Sequence, residues 1–238
     1  MKIPITFLGT SQAIPTEKRN HTAVLLKYKD ENILIDCGEG TQRQFRKAHL
    51  NPCKLTRILV THWHGDHVLG LPGLLQTLAL NNYNKTLYIY GPSGTKKFMD
   101  LMFKLFVFHG KIKYEIHECN AGKILETKDF CIEAEKMFHG TPTLAYSFIE
   151  KEKLRINKEK LKKLKIQGKI ISELQKGKDI TWNNKKIKAK DLTYMQKGKK
   201  ITIIMDTCIN SSMLKIAKNS DLLITEATYA EKEANLAK

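Results

Sequence analysis

Residues 61–67 read Thr61-His62-Trp63-His64-Gly65-Asp66-His67, and they set the fold class. Three imidazoles and one carboxylate fall within six positions (His62, His64, Asp66, His67). The apolar run Arg57-Ile58-Leu59-Val60 ahead of them reads as a buried strand. At a strand end, His62 and His64 project to the same side, because side chains alternate with period two. Gly65 permits a sharp turn, after which Asp66 and His67 face a neighbouring point. Nitrogen and oxygen donors grouped this way suit borderline-soft divalent metals such as zinc. A helix cap at Asp66 would account for only one of the four residues.

Four more polar positions stand at strand ends. Asp36 closes Asn32-Ile33-Leu34-Ile35, His139 follows the strand that includes 134–138, Asp206 closes Ile201-Thr202-Ile203-Ile204-Met205, and Glu226 follows Leu222-Leu223-Ile224-Thr225. One Asp after a strand is usually a turn residue. Several polar groups leaving the same end of successive strands make a site.

Between these points, β-like runs (3–8, 22–28, 32–36, 57–61, 86–90, 123–127, 131–138, 144–149, 200–206, 222–225) alternate with helical patterns at 41–49, 69–80, 95–106 and 211–218. The helix over 95–106 carries Phe98, Leu101, Met102 and Leu105 at core-facing spacing. Mixed elements of this length predict an α/β layered sandwich.

The chain of 238 residues has ordinary apolar (42%) and charged (27%) content, so it suits one large domain or two small ones. No apolar stretch approaches a membrane span and residues 1–8 lack a signal peptide's features, so no membrane partner is expected. Five dispersed cysteines without a Cys-x-x-Cys predict reduced thiols in a cytoplasmic protein. Net charge is +17, which favours anionic partners, nucleic acid first. Residues 150–200 hold 18 Lys and Arg against 6 Asp and Glu, so +12 of that total sits in one segment. It reads as a projecting basic arm that buries little, with a helix over 157–165 and Lys162, Lys163 and Lys165 as phosphate contacts.

Together these motifs resemble the metallo-β-lactamase superfamily over nearly the whole chain, and more specifically its 3′-tRNA-processing endoribonucleases, the tRNase Z family. The resemblance rests on His-x-His-x-Asp-His, on Ser11 to Asn20, on Asp36-Cys37-Gly38-Glu39-Gly40-Thr41-Gln42-Arg43-Gln44, on His139-Gly140-Thr141-Pro142 with Ala145-Tyr146, and on Thr225-Glu226-Ala227-Thr228. It implies an α/β four-layer αβ/βα sandwich across 1–238, with the lysine-rich insertion at 150–200 as a tRNA-binding arm.

The same resemblance implies that His62, His64 and His139 hold one zinc. Asp66 and His67 would hold a second, with Asp206 bridging and Asp36 orienting ligands from behind. Asp66 would take the proton of the attacking water, and Glu226 would protonate the departing oxygen. Precursor tRNA is the implied substrate and a homodimer, joined through 69–80, the implied assembly.

The sequence also departs from the family pattern. Thr225 replaces a histidine, the arm keeps only Gly168 of a Gly-Pro element, and no histidine follows His139. The expectation is therefore two zinc ions per subunit, the second weak or absent without a final histidine, and a chain that stops partway through a helix beginning near Ala230. A hydrolase of small phosphodiesters or esters and an impaired RNA-binding form are the other readings. Arg19 and Asn20 stand near the expected mouth of the site as RNA-contact candidates, while His21, His49, His109 and His117 fall outside the motif.

Overall fold

The computed structural model describes residues 2–108, 112–229 and 232. The first six strands, β1 (Ile5–Gly9), β2 (Ala23–Tyr28), β3 (Glu31–Ile35), β4 (Arg57–Leu59), β5 (Thr86–Gly91) and β6 (Lys113–Glu118), lie side by side in chain order. Pairing is antiparallel from β1 to β3 and parallel from β3 to β6. The second sheet uses β7 (Gly122–Glu126), β8 (Phe130–Phe138) and β9 (Pro142–Glu150), then skips four short strands, β10 (Lys153–Ile156), β11 (Ile180–Trp182), β12 (Lys185–Ile187) and β13 (Thr193–Gln196). It is completed by β14 (Lys200–Ile204) and β15 (Leu222–Thr225), in spatial order β15-β14-β9-β8-β7.

The two sheets face each other across one apolar layer. Val24, Leu26, Ile33 and Ile35 of the first meet Ile132, Tyr146, Phe148 and Ile203 of the second. Alternation along each strand sends the other set of side chains outward. Leu25, Leu34, Ile58 and Ile89 pack under α1 (Thr41–Lys47), under α3 (Leu71–Leu80), which follows the single turn α2 (Gly65–Val68), and under α4 (Thr95–Leu105). Beyond the second sheet, Ala145 and Ile204 are covered by Ile216, carried on a later helix (Ser211–Ala217). Helix, sheet, sheet, helix is the expected four-layer α/β sandwich.

Three elements differ from expectation. On α4, Met99 and Met102 are buried while Phe98, Leu101 and Leu105 are 42%, 50% and 75% exposed. Two apolar lines run side by side on that helix, and the sandwich covers only one. Strand β6 is half charged and lies at the sheet edge, where a strand needs little apolar content.

The segment between β9 and β14 is not a bare basic arm. It contains α5 (Lys158–Lys163), α6 (Ile170–Gln175) and α7 (Ala189–Leu192), with β10 paired to β13 and β11 to β12. Leu161, Ile166, Leu174, Ile180, Ala189 and Leu192 form a small core of their own. Its apolar residues are widely spaced in sequence, so no window shows a stripe. The expected helix beginning near Ala230 and His109 lie outside the described residues. The helix over Ser211–Ala217 is α8 in chain order.

Candidate metal centre

Strand β3 ends at Ile35, and Asp36 then takes a left-handed backbone (φ 56°) while fully buried. A non-glycine residue held there costs strain that its surroundings must offset. The side chain shows how. Asp36 Oδ1 accepts from Thr61 N at 2.7 Å, and Oδ2 accepts from Thr61 Oγ1 and His67 Nδ1, both at 2.7 Å. The turn after it lies against α2, with Cys37 N donating to His67 O (2.8 Å) and Gly70 N to Cys37 O (2.9 Å). A Cβ on Gly38 would stand 2.3 Å from Asp66 O, so only glycine fits.

Those bonds fix the histidines. Thr61 Oγ1 spends its proton on Asp36, so at 3.1 Å it accepts from His62 Nδ1. His62 Nε2 is then a bare lone pair, buried and with no hydrogen-bond partner. An orphaned buried acceptor among other donors is the signature of a ligand position. His67 spends Nδ1 on Asp36 and turns Nε2 to Asp66 Oδ2 (3.4 Å) and Asp206 Oδ1 (3.3 Å). A carboxylate behind a ligating imidazole orients the ring and raises its basicity.

The second sheet brings the other half. His139 follows β8, and its Nε2 lies 3.2 Å from His64 Nδ1 and 3.6 Å from Asp206 Oδ2. Two groups of donor atoms result, His62–His64–His139 and His62–His67–Asp206, each within 4.8 Å. Asp206 presents one oxygen to each side. Two cross-sheet bonds lie directly beneath: Tyr146 Oη to Val60 O (2.7 Å) and Leu144 N to Thr61 O (2.9 Å).

Electrostatics agree with this geometry. Burial and the neighbouring His67 charge push His62 down to about 4, so it is neutral at pH 7. Burial opposes protonation of His67, but Asp36 and hydrogen bonds to Asp206, Asp36 and Asp66 outweigh it and lift the ring to about 12. Burial would raise Asp206, yet the hydrogen bond and charge of His67 hold it at about 2. Asp66 is lowered mainly by its bond to His67. The imidazolium of His67 thus carries positive charge amid three carboxylates, where a cation would sit.

Beside Asp206 a cleft of about 380 Å³ is lined by Gln12, Arg19, Thr225, Glu226 and Thr228. Glu226 Oε2 accepts from Thr228 N (2.8 Å) and Thr228 Oγ1 (2.7 Å), which leaves Oε1 uncommitted among the described residues. Arg19 is exposed on the cleft wall. The Asn20 amide instead donates to Glu39 O, tying the 11–20 loop to the turn after Asp36. His21, unassigned from sequence, fastens the same loop through Nε2 to Ala13 O (3.1 Å). His49 and His117 are exposed and away from the cluster, and Lys162, Lys163 and Lys165 are exposed on the inserted segment with no ion pair among the described residues. Thr61 is the residue sequence reasoning missed. Its only signal is a hydroxyl next to the histidine motif.

A profile of the family described as "Anti-Pycsar protein Apyc1" matches residues 3–100, under half of the chain. Full-length likenesses are closer. The protein named Ribonuclease Z of Nanoarchaeum equitans is 38% identical over 234 residues, 98% of this chain and 74% of that one. Ribonuclease Z of Thermococcus onnurineus is 40% identical over 234 residues, 97% and 75% of the two chains. Among solved structures, the short form of human tRNase Z superposes with a TM-score of 0.70 at 27% identity, covering 98% of this chain and 80% of that one. The metallo-β-lactamase fold protein YhfI of Bacillus subtilis shares the fold at 17% identity, TM-score 0.59, covering 92% and 68%. Identity at this level over nearly every residue, on this sandwich and around this donor cluster, places the chain in the ribonuclease Z family.

Proposed function

We propose that this protein is an endoribonuclease that removes the 3′ trailer from precursor tRNA, leaving a 3′-hydroxyl on the tRNA and a 5′-phosphate on the trailer. Two zinc ions per subunit are the proposed cofactors. Asp206 carries the reading, because its two oxygens face His67 and His139 across adjacent donor groups. His62, His64 and His139 would hold one ion, and His67, Asp66 and Asp206 the other. Imidazole-rich donors with carboxylates suit zinc. When bound, such a pair brings the pKa of water to about 7 and offsets charge on the phosphate oxygens.

The chain's own groups do the rest. Asp66, held ionised by His67, accepts the proton of the attacking water. Glu226 is anchored through Oε2 and offers a proton from Oε1 to the departing 3′-oxygen. General-acid help of that kind contributes about 10²–10⁴-fold. Asp36 and Thr61 hold the rings of His67 and His62 in register.

Lys162, Lys163 and Lys165 would grip phosphates of duplex RNA, which is recognised by shape. Arg19 would contact RNA at the cleft, while Asn20 serves the loop. A homodimer is proposed through α3 and α4, which leave Leu80, Phe98, Leu101 and Leu105 exposed. No described helix is long and apolar enough to cross a membrane, all five cysteines are free, and a cytoplasmic location is proposed.

His64→Ala or Asp206→Ala should lower cleavage of precursor tRNA at least about 10³-fold while gel-shift affinity for that RNA persists. Turnover retained in either variant overturns the assignment. Wild-type protein that leaves precursor tRNA intact but hydrolyses small diesters rapidly would be a different hydrolase on this fold.

A further inference from the structure

A second polar cluster lies away from the metal centre, where the inserted segment joins the sandwich. Tyr28, at the end of β2, is buried and donates through Oη to Glu150 Oε1 at 2.9 Å. Glu150 closes β9 in the opposite sheet and is itself 6% exposed. Lys153, the first residue of β10, donates to Tyr28 Oη at 2.5 Å and to Glu150 Oε1 at 3.2 Å. Asp129 pairs with Lys29 at 2.5 Å and with Lys153 at 3.7 Å.

The returning end of the segment meets the same residue. Glu150 N donates to Lys199 O at 2.8 Å. A Cβ on Gly198 would lie 1.7 Å from Glu150 O, so the backbone passes directly over it. One residue therefore touches the last strand before the segment, both of its roots, and the opposite sheet.

This arrangement is a costly way to hold a fold together. Burying a carboxylate and an ammonium carries a desolvation penalty that an apolar contact avoids. What a network of directed bonds adds is angle. Among the described residues the small core of the segment contains no residue from either face of the sandwich. Its other ties at the roots are one backbone bond, Lys151 N to Asp129 O (2.9 Å), and two more exposed ion pairs, Lys151–Glu126 (2.6 Å) and Lys199–Asp221 (2.7 Å).

We propose that Tyr28, Glu150 and Lys153 form a latch that sets the angle of the segment 151–199 relative to the metal centre. They are positioning residues for RNA binding. The inference rests on the reading that this segment grips precursor tRNA. A segment held at one angle presents its lysines to the RNA at high effective concentration once the scissile end is seated, and a swinging one does not.

The test compares full-length Glu150→Gln, Lys153→Met, Tyr28→Phe and Lys153→Arg with wild type and with a variant lacking 155–190. Each is assayed on precursor tRNA and on bis(4-nitrophenyl) phosphate. Spin labels on p-acetylphenylalanine at positions 47 and 186, both exposed, report the distance between segment and sandwich. Glu150→Gln and Lys153→Met should raise KM for precursor tRNA about tenfold with kcat unchanged. Small-diester hydrolysis should stay at the wild-type rate, and the distance distribution should broaden. Tyr28→Phe should show the same pattern more weakly, and Lys153→Arg should restore KM.

Unchanged KM and an unchanged distance distribution in Glu150→Gln and Lys153→Met would overturn the latch. So would an equal fall in small-diester hydrolysis, which marks a merely structural role. If the variant lacking 155–190 keeps the wild-type KM, the RNA-gripping reading fails, whatever the point variants do.

Discussion

At the scale of single residues, the metal centre depends on one proton. Without an ion, His67 is protonated up to about pH 12, because Asp36, Asp66 and Asp206 surround it. Its imidazolium must lose that proton before Nε2 can donate a lone pair. Metal uptake at pH 7.5 is therefore expected to release at least about one proton per chain, that of this ring, with any proton lost by metal-bound water adding to it. Calorimetric titration with zinc in buffers of different ionisation enthalpy measures it, and a release indistinguishable from zero would contradict this account.

The sign for stability follows from the same shift. His67 is raised from an ordinary 6.5, so in metal-free protein its stabilising contribution is complete below pH 6.5 and declines as pH rises toward 12. Much of the centre was readable in the sequence, because His62, His64, Asp66 and His67 sit within one turn and one strand end. The roles of Thr61 and His21 were not readable. A hydroxyl or ring that acts through one bond to a residue 25 or 8 positions away leaves no spacing pattern.

At the scale of elements, α4 shows what periodicity can and cannot decide. Spacing identified a helix and an apolar face, and both exist. It chose Phe98, Leu101, Met102 and Leu105 as the core line, whereas the sheet covers Met99 and Met102. Two adjacent apolar lines give one broad moment, and only the position of the sheet says which line it covers. The line left over is what a second subunit would bury.

If the proposed homodimer forms through this face, replacing Leu101 and Leu105 together by Asp should convert it to a monomer by light scattering at micromolar concentration. Thermal stability should change little, by about 0.5 kcal/mol per site, since both side chains are already exposed. An unchanged mass, dimer or monomer in wild type and variant alike, would rule out this face. The inserted segment failed to be read for the opposite reason. Its buried apolar residues, Leu161 to Leu192, come from α5, α6, β11, α7 and the turn after α5, each too brief to show a period.

At the scale of the whole molecule, chemistry and charge are kept apart. His62, His64 and His67, which follow β4, and His139 and Asp206, from the second sheet, meet at one edge of the sandwich, so these donor groups form only when the two halves are packed. Most of the net charge lies instead on the segment between β9 and β14. Binding and bond cleavage should consequently respond to salt differently. Each phosphate neutralised by a lysine releases condensed counterions, and the logarithm of affinity falls with the logarithm of salt by about 0.7–0.9 per contact. Changing Lys162, Lys163 and Lys165 together to Ala is expected to reduce that slope for precursor tRNA by about 2–3. Hydrolysis of a small diester, which reaches only the metal centre, should keep its wild-type salt response in the same variant. Filter-binding and rate measurements between 50 and 300 mM KCl, roughly the range where such slopes are resolved, decide the matter. A slope equal to wild type would mean that these three lysines face solvent and that the RNA is held elsewhere on the molecule.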